Sequence, residues 1–215
     1  MVFPRAVPVT AVAAAALSLL LAGCSGDDDT SPSGKSQGLG TVELSPSLSL
    51  SDEAAAGPEI RLPADLKVTF DPEETGDPVK DAVLRGNAER MKAVFAAIVG
   101  QDPNDDALSY YNIGRARAET SDWVGEFKEE KLTVTGDVHY LDRKVTLNED
   151  GAATLTFCAD ESEGFSKSLE TGKVYVTPVT ENSYVYYRAE LQKSEHGVWR
   201  TADISSERGA AECQP

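Results

Sequence analysis

The chain has 215 residues, with 20 Lys and Arg against 36 Asp and Glu, a formal net charge of −16 and three cysteines. That length allows one domain with a tail, or two very small domains. The acidity argues against a nucleic-acid partner or a bare anionic membrane surface, since both would repel the chain, and it otherwise serves solubility.

The first predicted element is a leader. Arg5 precedes an apolar run from about Val9 to Leu21, which ends in Leu21-Ala22-Gly23-Cys24. The run is about 13 residues long where a spanning helix needs about 20, so it reads as a secretory signal. A cysteine directly after Gly23 gives the frame of a lipobox, and the stretch resembles the signal of a bacterial lipoprotein. That resemblance implies loss of residues 1–23, a diacylglyceryl group on the Cys24 thiol, and a site on the outer face of the cell membrane. Two acyl chains make a stable anchor where one is marginal. An ordinary signal with a chance cysteine is the alternative. Residues 24–57 are rich in Ser, Gly, Asp and Pro and lack aromatics, so they read as a disordered tether. Asp27-Asp28-Asp29 within it is solvated charge rather than a cation site.

A folded domain is expected over residues 58–215. Ile60, Leu62, Leu66, Val68 and Phe70 alternate with polar residues, which suggests two short strands or an extended arm. Asp77-Pro78 is a helix start, and Val83 or Leu84, Ala88, Met91, Phe95 and Ile98 then recur at helical spacing up to Gly100. This predicts a long helix over Pro78 to Val99. A short helix follows from Asn104 to Asn112. A third runs from about Arg115 to Glu130, unless Thr120-Ser121-Asp122 caps a shorter one. The helical part thus spans about 77–130.

The remainder, about 132–207, reads as sheet. Leu132 to Leu147 is rich in Val, Thr and Tyr, and its alternation changes phase, which places a bulge near Leu141 to Arg143. A turn at Asn148–Gly151 leads to a strand over Ala152–Asp160. Lys173–Thr177 is expected to pair with Tyr184–Lys193, and Val198–Ser205 follows a turn at Ser194–Gly197. On Tyr184–Leu191, Val185, Tyr187, Ala189 and Leu191 should face the helices. Helices first and an antiparallel meander after give an α+β fold, with N-terminal helices packed on a bent antiparallel sheet. Cys158 and Cys213 form an even pair in an oxidising compartment, and their disulfide would contribute roughly 4 kcal/mol. Zinc is a poor rival, because neither cysteine has a ligand neighbour at the usual spacing.

A long helix, two shorter ones and a bent meander ending in Gly197-Val198-Trp199-Arg200 resemble the NTF2-like superfamily, which includes the ketosteroid isomerase and SnoaL-like groups. Thr156-Phe157-Cys158-Ala159-Asp160 and a second cysteine after the last strand resemble its secreted or lipidated actinobacterial members. The resemblance implies a cone-shaped domain with an apolar pocket at its open end, and dimerisation through the open sheet face is common there. Fold kinship does not transfer chemistry. No motif allows the isomerases' aspartate base and oxyanion donors to be placed on residues of this chain.

The candidate chemistry is sparse. His196 lies in a turn, and His139 lies on the parity opposite Val138 and Tyr140, where it is either solvated or a base facing the pocket. Asp102, Asn104 and Asp106 imitate the start of an EF-hand loop, but Ala107 and Ile113 break it, so a helix cap is expected. There is no nucleophile elbow and no phosphate loop. No catalytic residue, metal ligand or cofactor is assigned. Trp123, His139 and Tyr187 are the candidates for lining a ligand pocket. The expected function is a membrane-anchored envelope lipoprotein that binds a small apolar ligand or another envelope protein. The alternative is an isomerase-type enzyme transferring a proton through His139 or a buried carboxylate such as Asp160.

Overall fold

The computed structural model describes residues 57–215, so Cys24, the leader and all of the tether but Gly57 lie outside the described residues. Strand β1 (Leu66–Phe70) is followed by helices α1 (Pro78–Gly100), α2 (Asp106–Tyr111) and α3 (Gly114–Glu129). Strands β2 (Leu132–Leu147), β3 (Ala153–Ser168), β4 (Val174–Tyr175), β5 (Tyr184–Lys193) and β6 (Trp199–Arg208) complete a six-stranded sheet. Its order is β1-β2-β3-β5-β6, with β4 beside β3.

Helix α1 starts where its chemistry requires. The Asp77 carboxylate accepts from the amides of Val79 (2.9 Å) and Lys80 (3.2 Å), and Pro78 occupies the first turn, where no amide is needed. The helix runs through Gly100, one residue beyond the expected end. Gln101 rather than the glycine takes the left-handed position (φ 55°), and its side-chain amide donates to the carbonyls of Ile98 and Leu132. Val83, Leu84, Asn87, Arg90, Met91, Val94 and Ile98 form its buried face. Full burial of side chains such as Leu84 and Ile98 contributes about 2 kcal/mol each. At Gly86 the helix meets β6 closely: a Cβ there would stand 2.6 Å from the Trp199 carbonyl oxygen. Helix α2 is capped by Asp105, which accepts from the Leu108 amide at 3.0 Å, so the acidic run is a cap as expected. Helix α3 takes its longer form, with Thr120 in mid-helix bonded back to the Ala116 carbonyl.

The sheet departs from the expected meander in three places. First, β1 is a single strand that pairs parallel with β2, from Leu66 opposite Gly136 to Phe70 opposite Tyr140. The sheet is therefore mixed rather than wholly antiparallel. The three helices between β1 and β2 supply the long crossover that a parallel pair needs. Ile60 belongs to the coil before β1 and packs against Ala93, Ala107 and Tyr111. Second, β3 continues to Ser168 instead of ending at Asp160, pairing with β2 along its length. Third, β4 pairs with β3 and not with β5. Strand β5 leaves β3 at the Tyr184–Asp160 pair, and β4 takes the edge of β3 further on, opposite Ser166 and Lys167.

The expected bulge is present between Leu141 and Lys144, where Asp142 adopts φ 53°. It turns Arg143 inward, and the guanidinium donates to the carbonyls of Pro72 (2.9 Å) and Leu84 (2.5 Å). Leu147, on the switched parity, remains exposed. A second irregularity, between Asp137 and His139, follows Gly136 at φ 94°; a Cβ there would lie 2.0 Å from the Glu163 carbonyl oxygen. Together the two bend the long β2–β3 hairpin around α1. Val185, Ala189 and Leu191 are buried on the helix-facing side of β5, as its alternation predicts, and Tyr187 on the same side is half-buried. The Cys158–Cys213 disulfide joins β3 to the turn after β6, with Cα atoms 5.5 Å apart.

Candidate functional site

A cavity of about 280 Å³ lies between α1, α3 and the concave face of the sheet. Helix α1 contributes Arg90, Met91, Val94 and Phe95, and α3 contributes Thr120 and Trp123. The sheet adds Tyr140 from β2, Glu161 from β3, Tyr187 from β5, and Ile204 and Arg208 from β6. Glu119, Ser205 and Ser206 also line it, so the wall is mixed: apolar and aromatic side chains alternate with about as many polar and charged ones.

Local structure places each of these side chains. Tyr140 is the last inward residue of β2 before the bulge, and Phe157 and Tyr187 continue the row on β3 and β5. Their rings form a cross-strand ladder: Phe157 stacks on Tyr187 at 5.0 Å and meets Tyr140 edge-on at 5.8 Å. Trp123 stands four residues before Phe127 on α3, and the two rings meet edge-on at 5.3 Å. Burial, reinforced by the nearby Glu161 carboxylate, raises both Tyr140 and Tyr187 above the ordinary phenol range. Both hydroxyls therefore keep their protons at neutral pH and can donate to a ligand.

Arg90 is the unusual member of the wall. It is 4 % exposed, and its Nε donates to Asn112 Oδ1 at 2.6 Å. Nη2 donates to Thr120 Oγ1 at 3.1 Å, and Nη1 reaches Met91 Sδ at 3.0 Å. The side chain so ties α1 to the end of α2 and to α3. Desolvation pulls its pKa down to about 10, which still leaves it cationic at neutral pH. The acids of the wall are engaged elsewhere. Glu161 pairs with Arg208 at 2.8 Å, and Glu119 pairs with Arg115 at 3.2 Å.

Of the residues expected to line a pocket, the fold brings Trp123 and Tyr187 to this cavity. His139 does not join them. Strand alternation sends Val138 and Tyr140 inward and His139 outward, where it is exposed in a separate open depression with Asp160, Lys67 and Glu163. Asp160 accepts from the Ser162 amide at 2.9 Å on that same outer side. His196 is exposed in the β5–β6 turn. Sequence reasoning passed over Arg90 and Glu161. Arg90 carried a signal, since it falls on the apolar stripe of α1 between Val83 and Val94. Glu161 carried none, because it lies in a polar run with no clear face.

A long helix, two shorter helices and a bent sheet enclosing a cavity form the α+β cone implied by the order of elements. That order of elements is the one the resemblance to the NTF2-like fold leads one to expect. No family model and no curated protein matches the chain. Among solved structures, it is similar to a ketosteroid isomerase-like protein from Erwinia carotovora atroseptica, at 18% identity and TM-score 0.42, covering 62% of this chain and 98% of that one. It is also similar to Aln2 from a Streptomyces species, at 16% identity and TM-score 0.41, over 63% and 94% of the two chains. The intermembrane space region of the chloroplast protein ARC6 is another, at 21% identity and TM-score 0.40, over 62% and 99%. Likenesses this distant carry nothing about the site, whose reading rests on the side chains alone.

Proposed function

We propose that this protein is a lipid-anchored envelope lipoprotein whose domain binds a small, largely apolar molecule without transforming it. The observation that carries the binding role is the cavity of about 280 Å³, lined by Trp123 and Phe95 among others and not filled by the aromatic side chains around it. An interaction module would have no need of such a space. The non-catalytic part is supported by the placement of acids and bases. His139 and Asp160, on which proton transfer would depend, lie on the outer face, and Glu161 at the cavity wall is held by Arg208. The anchor follows from the Leu21–Cys24 lipobox and the spacer after it.

The test is extraction of the protein purified from its native membranes, followed by mass spectrometry of the low-mass fraction. A species near one equivalent, lost from the Trp123→Ala variant, is the expected result. A fraction identical for both proteins, or an empty one, contradicts the binding role.

A further inference from the structure

We infer that the molecule held in the cavity carries a carboxylate, seated against Arg90, with its apolar body on Trp123 and Phe95. This rests on the ligand-binding reading and adds the chemical class of the ligand.

Among the described residues, Arg90 is a buried charge without a counterion. Arg90 lies at the cavity wall, 4 % exposed, and among the described residues its three side-chain partners are an amide oxygen, a hydroxyl and a thioether. All three are neutral. Among the described residues no carboxylate lies within ion-pairing distance of it; the acids of the wall, Glu119 and Glu161, pair with Arg115 and Arg208 instead. A buried charge is stable only when paired and hydrogen-bonded, and removing water from an unpaired guanidinium is costly. A guanidinium also has five N–H donors, and three contacts, one of them to sulfur, leave part of the fork without an acceptor.

The cavity is where such an acceptor would sit. Tyr140 and Tyr187, both kept protonated, line it with Arg90 and offer two further donors. Of the two guanidiniums at the wall, Arg208 is paired with Glu161 and Arg90 is not; several donors around Arg90 fit an oxyanion, and its planar fork matches the two oxygens of a carboxylate. The overall charge of −16 gives no general attraction for anions, so recognition has to come from this local constellation. The volume is roughly twice that of a cavity of about 150 Å³ that holds benzene, which leaves room for one ring and a short chain. Trp123 and Phe95 supply the faces for that ring.

The test uses the mature chain, residues 24–215, with Cys24→Ser so that no lipid is attached and every described residue is kept. Calorimetry near neutral pH compares 4-phenylbutyrate, 4-phenylbutan-1-ol and 4-phenylbutylamine, which share one apolar body. The expected order is acid, alcohol, amine, with the acid about tenfold or more tighter than the alcohol, as a charge-assisted pair gives. Arg90→Met should remove the preference for the acid, and Arg90→Lys should keep part of it. Should Arg90→Met fail to fold, the comparison within the unsubstituted chain still decides. Equal affinity for acid and alcohol overturns the inference while leaving the cavity as a binding site. Absence of binding by all three removes the binding reading, and the inference with it.

Discussion

Replacing both Cys158 and Cys213 by alanine should destabilise the domain by about 4 kcal/mol, the entropy returned to an unfolded chain when a cross-link over 55 positions is cut. Removing both cysteines avoids leaving a buried free thiol. The lost sulfur packing adds little, since the bridge lies at the rim of the core, with Cys213 at 9 % exposure. Against a typical domain stability of about 5–15 kcal/mol, that is a large share. In urea, with a slope of about 2 kcal/mol per molar, the unfolding midpoint should fall by about 2 M. The assay is equilibrium unfolding followed by Trp fluorescence and by far-ultraviolet circular dichroism, with the two transitions required to coincide. A midpoint that moves by less than about 0.3 M would refute the loop-entropy reasoning. Titration of the unfolded, unreduced protein should find neither Cys158 nor Cys213 as a thiol, and a reactive pair would contradict the bridge itself.

Gly136→Ala should cost about 3 kcal/mol or prevent folding, because the new Cβ meets the Glu163 carbonyl at 2.0 Å and φ is 94°; a melting temperature within a degree or two of the parent would contradict the strained turn. Tyr140, Tyr187 and Tyr111 have folded-state pKa values raised by burial, Tyr111 to about 12. Their contribution to stability is therefore complete below the unfolded phenol value near 10 and is lost as pH climbs beyond it. Arg90 and Arg143, both lowered to about 10, act with the opposite sign in that window, so the net slope is smaller than three phenols alone would give. The decisive readout is phenolate absorbance: three of the seven tyrosines should ionise only as the chain unfolds, and ionisation of all seven in the folded state would contradict their burial. Cys24→Ala should abolish incorporation of labelled fatty acid in cells, and unchanged labelling would rule out the lipobox.

Much of the scaffold is legible in the residue order, for local reasons. Asp77-Pro78 and the spacing from Leu84 to Ile98 define α1 within a residue, and the phase change near Arg143 marks the bulge. What escapes the sequence is decided between distant segments. Nothing local to Leu66–Phe70 says that it lies parallel to β2, because that pairing depends on where the intervening helices carry the chain. Strand β3 continues past Asp160 through a polar run, since Glu161 turns inward to Arg208 and offers no alternation to read. The site follows the same division. Trp123 is legible as a large ring on a helix, and Tyr187 as a ring on the alternation that turns toward the helices. His139 depended on which face of β2 meets the helices, and that face is set by Val138 and Tyr140. Arg90 could have been singled out from its position on the apolar stripe of α1, where a charge demands a partner.

The most direct measurement is a crystal structure of the protein isolated from its native cells without denaturation. Continuous density is expected in the cavity, with oxygen-like features within hydrogen-bond distance of Arg90 and an apolar body against Trp123. A cavity containing only separate water molecules, or one closed by movement of Trp123 onto Tyr187, would contradict it.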